Sequence, residues 1–216
     1  METIRGSGYQ KPFPHLILKN FYTQEELRLI WQELNFYTQP GKLFDAKDFG
    51  GVVGRTNSHA IALDELYYNK KLRKISNILQ VNRKLFNQDV LSGFAKVDDC
   101  CSIATMCNDD ITKVRYYHDG EYYQPHTDYA VMFLAFSYFY KEPKRFKGGE
   151  LSFPQYEKLL TCDNNMTIIF PGWVEHGVTK VEIKDSDYFD GYGRYAITNF
   201  MNCLDKEKRH FPGLNK

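Results

Sequence analysis

The sequence has almost no net charge. Among its 216 residues, 28 lysines and arginines stand against 27 acidic residues, which leaves a formal charge of +1. A protein dedicated to binding nucleic acid or an anionic membrane surface usually carries a clear basic excess. The charge balance therefore argues against both partners, and we expect neither a membrane nor a nucleic acid to be bound.

Long hydrophobic runs and paired cysteines are also lacking. The longest apolar stretch, AVMFLAFSYFY, is too short to span a bilayer. The N-terminal segment METIRGSGYQKPFPHL has no apolar core of the kind that a secretory signal requires. The five cysteines form no Cys-x-x-Cys pair, a usage typical of a reducing compartment. We therefore predict an intracellular, cytoplasmic protein with free thiols.

The sequence does contain enough apolar material for one sizeable core. Hydrophobic residues make up 43% of the chain and aromatic residues 16%, and a chain of this length does not require two domains. We predict a single domain over residues 1–216, in which a helical N-terminal part over about 1–100 precedes a β-rich core over about 103–204.

Two helical patterns occupy the N-terminal part. Thr23 followed by Glu26 is a capping-box signature, and the apolar spacing after it predicts a helix. A second apolar stripe predicts a helical stretch from roughly Asn69 to Leu91. Between them, the Gly-rich segment DFGGVVGRTNSHA predicts a mobile loop. Such a loop could fold over a bound chain as a lid.

The pattern changes to short strands from about Ile103 onward. These segments are rich in β-branched and aromatic residues and are separated by turn signals: TKVRYYH, EYYQPHT, AVMFLAFSYFY, GELSF, MTIIF, HGVTKVEI and RYAITNFMN. The Asp119-Gly120 turn predicts that KVRYYH and EYYQPH pair as an antiparallel hairpin. Successive short strands indicate a mainly β fold, a sandwich or barrel with helices packed against one sheet.

A candidate metal site begins in the segment YYQPHTDYA. Residues two apart on a strand share a face, so His126 and Asp128 can converge on one ion. Alone, this short pattern fits a His–Asp hydrogen bond near the surface equally well. Fifty residues later, FPGWVEHGVTKV places His176 at the start of another predicted strand. Two histidines and one carboxylate form the facial triad that holds non-haem Fe(II).

A candidate anion-binding residue follows in GYGRYAITNF. Arg194 and Thr198 share one face of a predicted strand, so a guanidinium and a hydroxyl can address one ligand together. A guanidinium matches a carboxylate in bidentate fashion. A surface ion pair with the acidic segment DSDYFDG is the competing interpretation, and it is the better one for the arginine taken alone.

Taken together, these residues resemble the Fe(II)- and 2-oxoglutarate-dependent dioxygenases, and among them the prolyl 4-hydroxylase-like group. The resemblance covers about residues 112 to 202 and rests on four segments in order: YYHDGEYYQPHTD, FKGGELSFP, NNMTIIFPG and RYAIT. It implies a double-stranded β-helix, or jelly roll, of roughly eight core strands. It also implies Fe(II) and 2-oxoglutarate as cofactors, with ascorbate as a further candidate.

The resemblance assigns roles to individual residues. It implies that His126, Asp128 and His176 hold iron and form the catalytic centre. It further implies that the 2-oxoglutarate-binding residues are Arg194, Thr198, Tyr138 and Tyr116. The seventeen residues between His176 and Arg194 are about twice the gap usual in the family. Lys180 and Lys184 therefore remain rival partners for the carboxylate of 2-oxoglutarate.

The resemblance implies a hydroxylase that acts on a prolyl residue. The expected partners are a peptide or protein substrate and dioxygen. Oxidation of a free amino acid, another small molecule or a nucleobase is the first alternative. A non-catalytic jelly-roll binding module is the second alternative, and the presence of all three metal ligands with Arg194 argues against it. Tyr117, Tyr122 and Tyr123 could line a substrate groove, although strand tyrosines more often pack in a core, where we also expect Trp173.

Overall fold

The computed structural model describes residues 6–49, 55–69 and 71–203. The α-helices in these ranges are α1 Gln24–Tyr37, α2 Leu63–Leu66, α3 Asn77–Val81 and α4 Gln88–Ala95. The strands are β1 Gly6–Tyr9, β2 His15–Lys19, β3 Phe44–Asp45, β4 His59–Ala62, β5 Asp109–Tyr117, β6 Tyr123–His126, β7 Phe133–Phe139, β8 Phe146–Gly148, β9 Leu151–Phe153, β10 Lys158–Leu160, β11 Met166–Pro171, β12 His176–Val178, β13 Val181–Ile183 and β14 Arg194–Asn202.

Two antiparallel sheets form the framework. The large sheet has the order β1-β2-β11-β7-β14-β5-β4-β3, and the small sheet has the order β10-β9-β12-β6, while β13 pairs with β8. One core cluster contains residues of both sheets, among them Leu134 and Phe170 of the large sheet with Leu151 and Phe153 of the small one. The mainly β fold is therefore confirmed, with two sheets packed face to face as in a jelly roll.

The helices cover the opposite face of the large sheet. A second cluster joins α1, α3 and α4 to outward-facing residues of this sheet such as Tyr195 and Ile197. Because side chains alternate along a strand, residues 194, 196 and 198 of β14 face the small sheet. The same strand thus contributes to the helical core with one face and to the space between the sheets with the other.

The first predicted helix is confirmed, including its capping box. The Thr23 hydroxyl accepts from the Glu26 backbone N–H at 3.2 Å, and the Glu26 carboxylate accepts from the Thr23 backbone N–H at 2.7 Å. These bonds satisfy two of the donors that a helix N-terminus leaves open. Helix α1 then buries Ile30 and Leu34 against the sheet.

The second predicted helix is wrong as one continuous element. Among the described residues of this stretch, short pieces replace it: 3₁₀ turns at Leu72–Ile75 and Asn82–Phe86 alternate with α3 and α4. Ser76 caps α3 by accepting from the Leu79 backbone N–H at 3.1 Å. Asn82 is buried, and its side chain donates to Asn199 at 3.2 Å. Small polar residues that bond locally or to the sheet interrupt the helix, although its apolar spacing continues.

The predicted hairpin at Asp119-Gly120 is also wrong. Strand β5 pairs with β14 on one side and β4 on the other, whereas β6 pairs with β12 of the small sheet. Gly120, at φ 76°, lets the chain turn sharply, and its N–H donates to the Val181 carbonyl at 2.8 Å. Because both edges of β5 are occupied, the turn carries the chain from one sheet to the other.

The N-terminal part supplies strands as well as helices. Strands β1 to β4 all join the large sheet, so this part is not purely helical as we had expected. Residues 50–54 of the predicted loop DFGGVVGRTNSHA lie outside the described residues. Beyond them, Thr56 bridges to Tyr123 of β6, and β4 begins at His59.

Across residues 6–49, 55–69 and 71–203, no helix combines the length and apolar character needed to cross a bilayer.

Candidate active site

Three metal-ligand side chains meet between the sheets. His126 ends β6 and His176 begins β12, and these two residues are direct partners in the small sheet. Asp128 lies in the turn just beyond β6, not on the strand itself. Its Oδ2 is 3.9 Å from His126 Nε2 and 3.6 Å from His176 Nε2. The three side chains therefore converge as the sequence predicted.

Both imidazoles are oriented by the same backbone contact. Nδ1 of His126 lies 3.0 Å from the carbonyl oxygen of Gln124, and Nδ1 of His176 lies 3.0 Å from that of Val174. A carbonyl only accepts, so each Nδ1 carries the proton and donates it. Each Nε2 is left with a lone pair directed toward Asp128, which is the tautomer that metal binding requires.

Burial sets the charge of these ligands. It lowers the pKa of His176 to about 3, aided by the neighbouring His126. Burial also lowers the pKa of His126 and raises that of Asp128, although the imidazole of His126 and the charges of Arg115 and Lys113 oppose the shift at Asp128. The imidazoles are neutral at physiological pH, as metal ligands must be.

Two glycines allow the ligand-bearing segments to approach closely. A side chain at Gly172 would collide with the carbonyl oxygens of Asp128 and Val131, at 2.7 and 2.3 Å from its Cβ position. A side chain at Gly177 would lie 2.8 Å from the Tyr123 carbonyl. The Asp128 N–H donates to the Gly172 carbonyl at 3.0 Å. The turn that carries Asp128 is thus held directly against the segment leading to His176.

The donor set fits iron. One ligand atom from each of His126, Asp128 and His176 can be chosen so that all lie within 4.8 Å of one another, and this is the one such His/Cys/Asp/Glu group within the described residues. Two neutral imidazoles and one carboxylate match the facial arrangement of non-haem Fe(II) sites, which leaves positions open for other ligands.

Arg194 lies deeper in the same cavity. It is only 2% exposed, and its guanidinium carbon lies 4.9 Å from the ring centre of Tyr117 and 4.8 Å from that of Tyr138. One terminal nitrogen donates to the Cys162 sulfur at 3.7 Å, a weak acceptor. The remaining guanidinium nitrogens and the Tyr138 hydroxyl are buried without a hydrogen-bond partner among the described residues. These donors fit a carboxylate, as the distal end of 2-oxoglutarate would supply.

Residues 112–202 match the family model described as the 2OG-Fe(II) oxygenase superfamily. This match includes His126, Asp128, His176 and Arg194. The resemblance to the 2OG-Fe(II) oxygenase superfamily is confirmed. It implies Fe(II) and 2-oxoglutarate, and both fit the donors described above. Among curated proteins, none matches the chain.

Solved structures with the same fold include several oxygenases at low sequence identity. A viral collagen prolyl hydroxylase from Paramecium bursaria Chlorella virus-1 is 13% identical with a TM-score of 0.52, covering 88% of this chain and 96% of that one. A Pseudomonas putida prolyl-4-hydroxylase is 14% identical with a TM-score of 0.55, covering 88% and 93%. A Trichoplax adhaerens prolyl hydroxylase, solved with a hypoxia inducible factor peptide fragment, is 13% identical with a TM-score of 0.59, covering 88% and 83%.

Of the other residues expected to bind 2-oxoglutarate, some line the cavity and one does not. Tyr138 and Thr198 line the cavity with Arg194, and the Thr198 hydroxyl also donates to the Lys113 carbonyl at 3.3 Å. Lys180 and Lys184 are exposed and do not line the cavity. The chain between His176 and Arg194 forms β13, which pairs with β8. Its extra length therefore brings neither Lys180 nor Lys184 into the cavity.

The expected placement of Tyr116 is wrong. Its ring packs in the helical core, where its hydroxyl donates to the Tyr188 carbonyl at 3.2 Å and accepts from the Gly193 N–H at 3.0 Å. The neighbouring Tyr117 lines the cavity instead and pairs with Arg194 across β5 and β14. Alternation along β5 explains the error, because a shift of one residue moves a side chain to the other face.

Sequence reasoning also missed or misplaced other residues at the site. Arg115 lines the cavity two positions before Tyr117 and was not considered. Its position on the same strand face was the available signal. Tyr123, ranked as a packing residue, lines the cavity and stacks on His126 at 4.2 Å between ring centres. Trp173, expected in the core, is instead 46% exposed.

Proposed function

We propose that the protein is an Fe(II)- and 2-oxoglutarate-dependent dioxygenase that hydroxylates a prolyl residue in a peptide or protein. One observation carries the proposal: a His–Asp–His group and a buried guanidinium with unpartnered donors line the same cavity. The family match of residues 112–202 supports the reaction class.

The residues of the chain have separate roles in this reaction. Fe(II) and 2-oxoglutarate, when bound, would supply the oxidation of an unactivated C–H bond coupled to decarboxylation of the 2-oxo acid. His126, Asp128 and His176 would hold the metal on one side only. Arg194 would bind the distal carboxylate of 2-oxoglutarate, with the Tyr138 hydroxyl donating beside it. Burial keeps Tyr138 protonated by raising its pKa, so this hydroxyl remains a donor.

Aromatic side chains enclose His176 and Arg194 at the inner end of the cavity. Phe136 and Phe170 pack against the His176 ring at 5.4 and 5.3 Å between ring centres. The rings of Tyr117 and Tyr138 enclose Arg194 in the same way. In such a dry pocket, charge-assisted hydrogen bonds to a carboxylate are stronger than in water.

Two observations support a peptide substrate. Tyr129 and Trp173, each next to a residue that positions the metal ligands, are 80% and 46% exposed. Exposed aromatic side chains beside a cavity suit an extended chain, which they can contact with little loss of side-chain entropy. Three solved structures that share the fold are prolyl hydroxylases, one of them in complex with a peptide fragment.

The experiment combines binding with turnover. The protein is loaded with Fe(II) and 2-oxoglutarate without oxygen, and a library of proline-containing peptides is then added with air. We expect succinate to form and one peptide class to gain the mass of one oxygen atom. Oxidation of a free amino acid, another small molecule or a nucleobase with no peptide modified would replace the prolyl substrate. Absence of 2-oxoglutarate binding would favour a non-catalytic module. The cytoplasmic location stays a prediction.

A further inference from the structure

The cavity that holds His126, Asp128 and His176 contains a second buried arginine. Arg115 of β5 is 5% exposed and lies opposite Ala196 of β14. The next pair on the same face of these strands is Arg194 with Tyr117. Two residues along a strand separate the pairs by about 7 Å. Arg115 therefore lies at a different position in the cavity from the guanidinium assigned to 2-oxoglutarate.

Arg115 forms no salt bridge among the described residues, although its charge acts on the carboxylate of Asp128. Its guanidinium carbon lies 5.0 Å from the ring centre of Tyr123, which itself stacks on His126. One terminal nitrogen, NH1, is buried with no hydrogen-bond partner among the residues that the structure describes. A buried donor of this kind on a charged group is costly unless a ligand satisfies it.

The charges of the loaded site indicate what that ligand is. Fe(II) and Arg194 bring three positive charges, and Asp128 with the two carboxylates of 2-oxoglutarate brings three negative ones. The positive charge of Arg115 is then left over. Because both ends of 2-oxoglutarate are already accounted for, the surplus suits an anion on the other substrate.

We propose that Arg115 binds a carboxylate of the primary substrate and so selects for an acidic group close to the carbon that is oxidised. This inference rests on the proposed function and names its substrate more closely. The carboxylate has two possible sources. One is an acidic side chain next to the target residue of a peptide, and the other is the α-carboxylate of a free amino acid.

The test measures binding and needs no turnover. The protein is loaded with Mn(II), a redox-stable substitute, and 2-oxoglutarate without oxygen, and calorimetry measures its affinity for three probes. These are proline peptides with Glu at one of the two positions on either side of the proline, matched peptides with Gln there, and free proline. We expect wild-type protein to bind one Glu peptide, or free proline, at least about tenfold more tightly than the Gln peptides.

Variants of Arg115 locate the effect. Arg115→Gln should remove the preference, and Arg115→Lys should keep part of it. The affinity for 2-oxoglutarate should change less than about threefold in either variant, since Arg194 retains its contact. Arg28→Gln, at an exposed position on α1, is the matched control and should keep the full preference. Melting curves and Mn(II) titration check that each variant folds and binds metal.

Three results would overturn the inference. Equal binding of Glu and Gln peptides with no binding of free proline by wild-type protein would show that no carboxylate is recognised. Loss of 2-oxoglutarate affinity in Arg115→Gln, to the extent seen in Arg194→Gln, would assign this guanidinium to the co-substrate. Unchanged preference in both Arg115 variants would place recognition elsewhere. In each case, the proposed oxygenase function would stand if the wild-type protein binds Mn(II) and 2-oxoglutarate. If the wild-type protein binds neither, the proposed function itself would be refuted.

Discussion

On the helical face of the large sheet, the buried hydroxyls of Tyr22, Tyr37 and Tyr195 have protein partners. On the face toward the small sheet, several buried donors have none among the described residues. The hydroxyl of Tyr195 donates to Thr38 at 3.2 Å, and that of Tyr22 donates to Asn82 at 2.9 Å. The Tyr138 hydroxyl and two of the three guanidinium nitrogens of Arg194 lack such partners. The large sheet therefore has one face on which these polar groups bond to the protein itself, and one face on which buried donors are open to a ligand.

Removing one of the three candidate metal ligands should have the largest effect on activity while leaving the helical core intact. Asp128→Ala should abolish 2-oxoglutarate turnover, because two imidazoles alone lack the carboxylate of the facial triad. Folding should persist, since the side chain contributes little to the core. Succinate formation and a melting curve measure the two outcomes. Asp163→Ala, which removes an exposed ion pair with Lys19, is the control and should keep activity. Full turnover by the Asp128 variant would show that the triad is not the metal site.

The guanidinium of Arg194 should have the next largest effect. Arg194→Gln removes a bidentate charged contact worth about 2–5 kcal/mol, so the 2-oxoglutarate requirement should rise by tens of fold or more. Lys180→Ala and Lys184→Ala should leave it unchanged because both side chains are exposed. The reverse pattern, with a lysine variant impaired and the arginine variant normal, would mean that a lysine and not Arg194 binds the distal carboxylate of 2-oxoglutarate.

A pair of tyrosine substitutions compares the two faces directly. Tyr116→Phe should lower the free energy of unfolding by about 1–3 kcal/mol, because the buried N–H of Gly193 loses its acceptor. It should leave 2-oxoglutarate affinity unchanged. Tyr138→Phe should do the opposite, weakening 2-oxoglutarate binding several-fold at little cost in stability. Urea unfolding and calorimetry measure both quantities. Similar profiles for the two variants would contradict the division between the faces.

The pH dependence of the free energy of unfolding should be a smaller effect than the substitutions above. It should be steepest in the metal-free protein. Unfolded His176 binds a proton near pH 6.5, whereas burial lowers its folded pKa to about 3. Between these values the unfolded state holds more protons, so stability falls as pH falls, by at most about 1.4 kcal/mol per pH unit. The lowered pKa of His126 acts in the same direction. Urea unfolding of chelator-treated protein from pH 7 to 5 should show this slope, and His176→Phe should reduce it. An equal slope in the variant would refute the assignment.

The metal ligands could be predicted from sequence because their signals are local. His126 and Asp128 are two positions apart, and His176 follows a Pro-Gly turn at the start of a strand. The pairing of β6 with β12, which joins residues fifty positions apart, then brings the two histidines together. Helix α1 was predictable for the same reason, since its capping box lies within four residues.

The wrong predictions concern features that depend on contacts between distant parts of the chain. The Asp119-Gly120 turn looks like a hairpin until β4 and β14 occupy both edges of β5. The face of Tyr116 depends on a strand register that short motifs do not define. Arg115 escaped notice because its role depends on the neighbouring strand and on Tyr123, which the sequence does not place beside it.

Anaerobic calorimetry of 2-oxoglutarate binding to the metal-loaded protein tests the central claim most directly. The account predicts one site per chain whose affinity depends on the metal and is lost in both Asp128→Ala and Arg194→Gln. Binding that persists without metal and survives both substitutions would show that the cavity between the sheets is not the 2-oxoglutarate site.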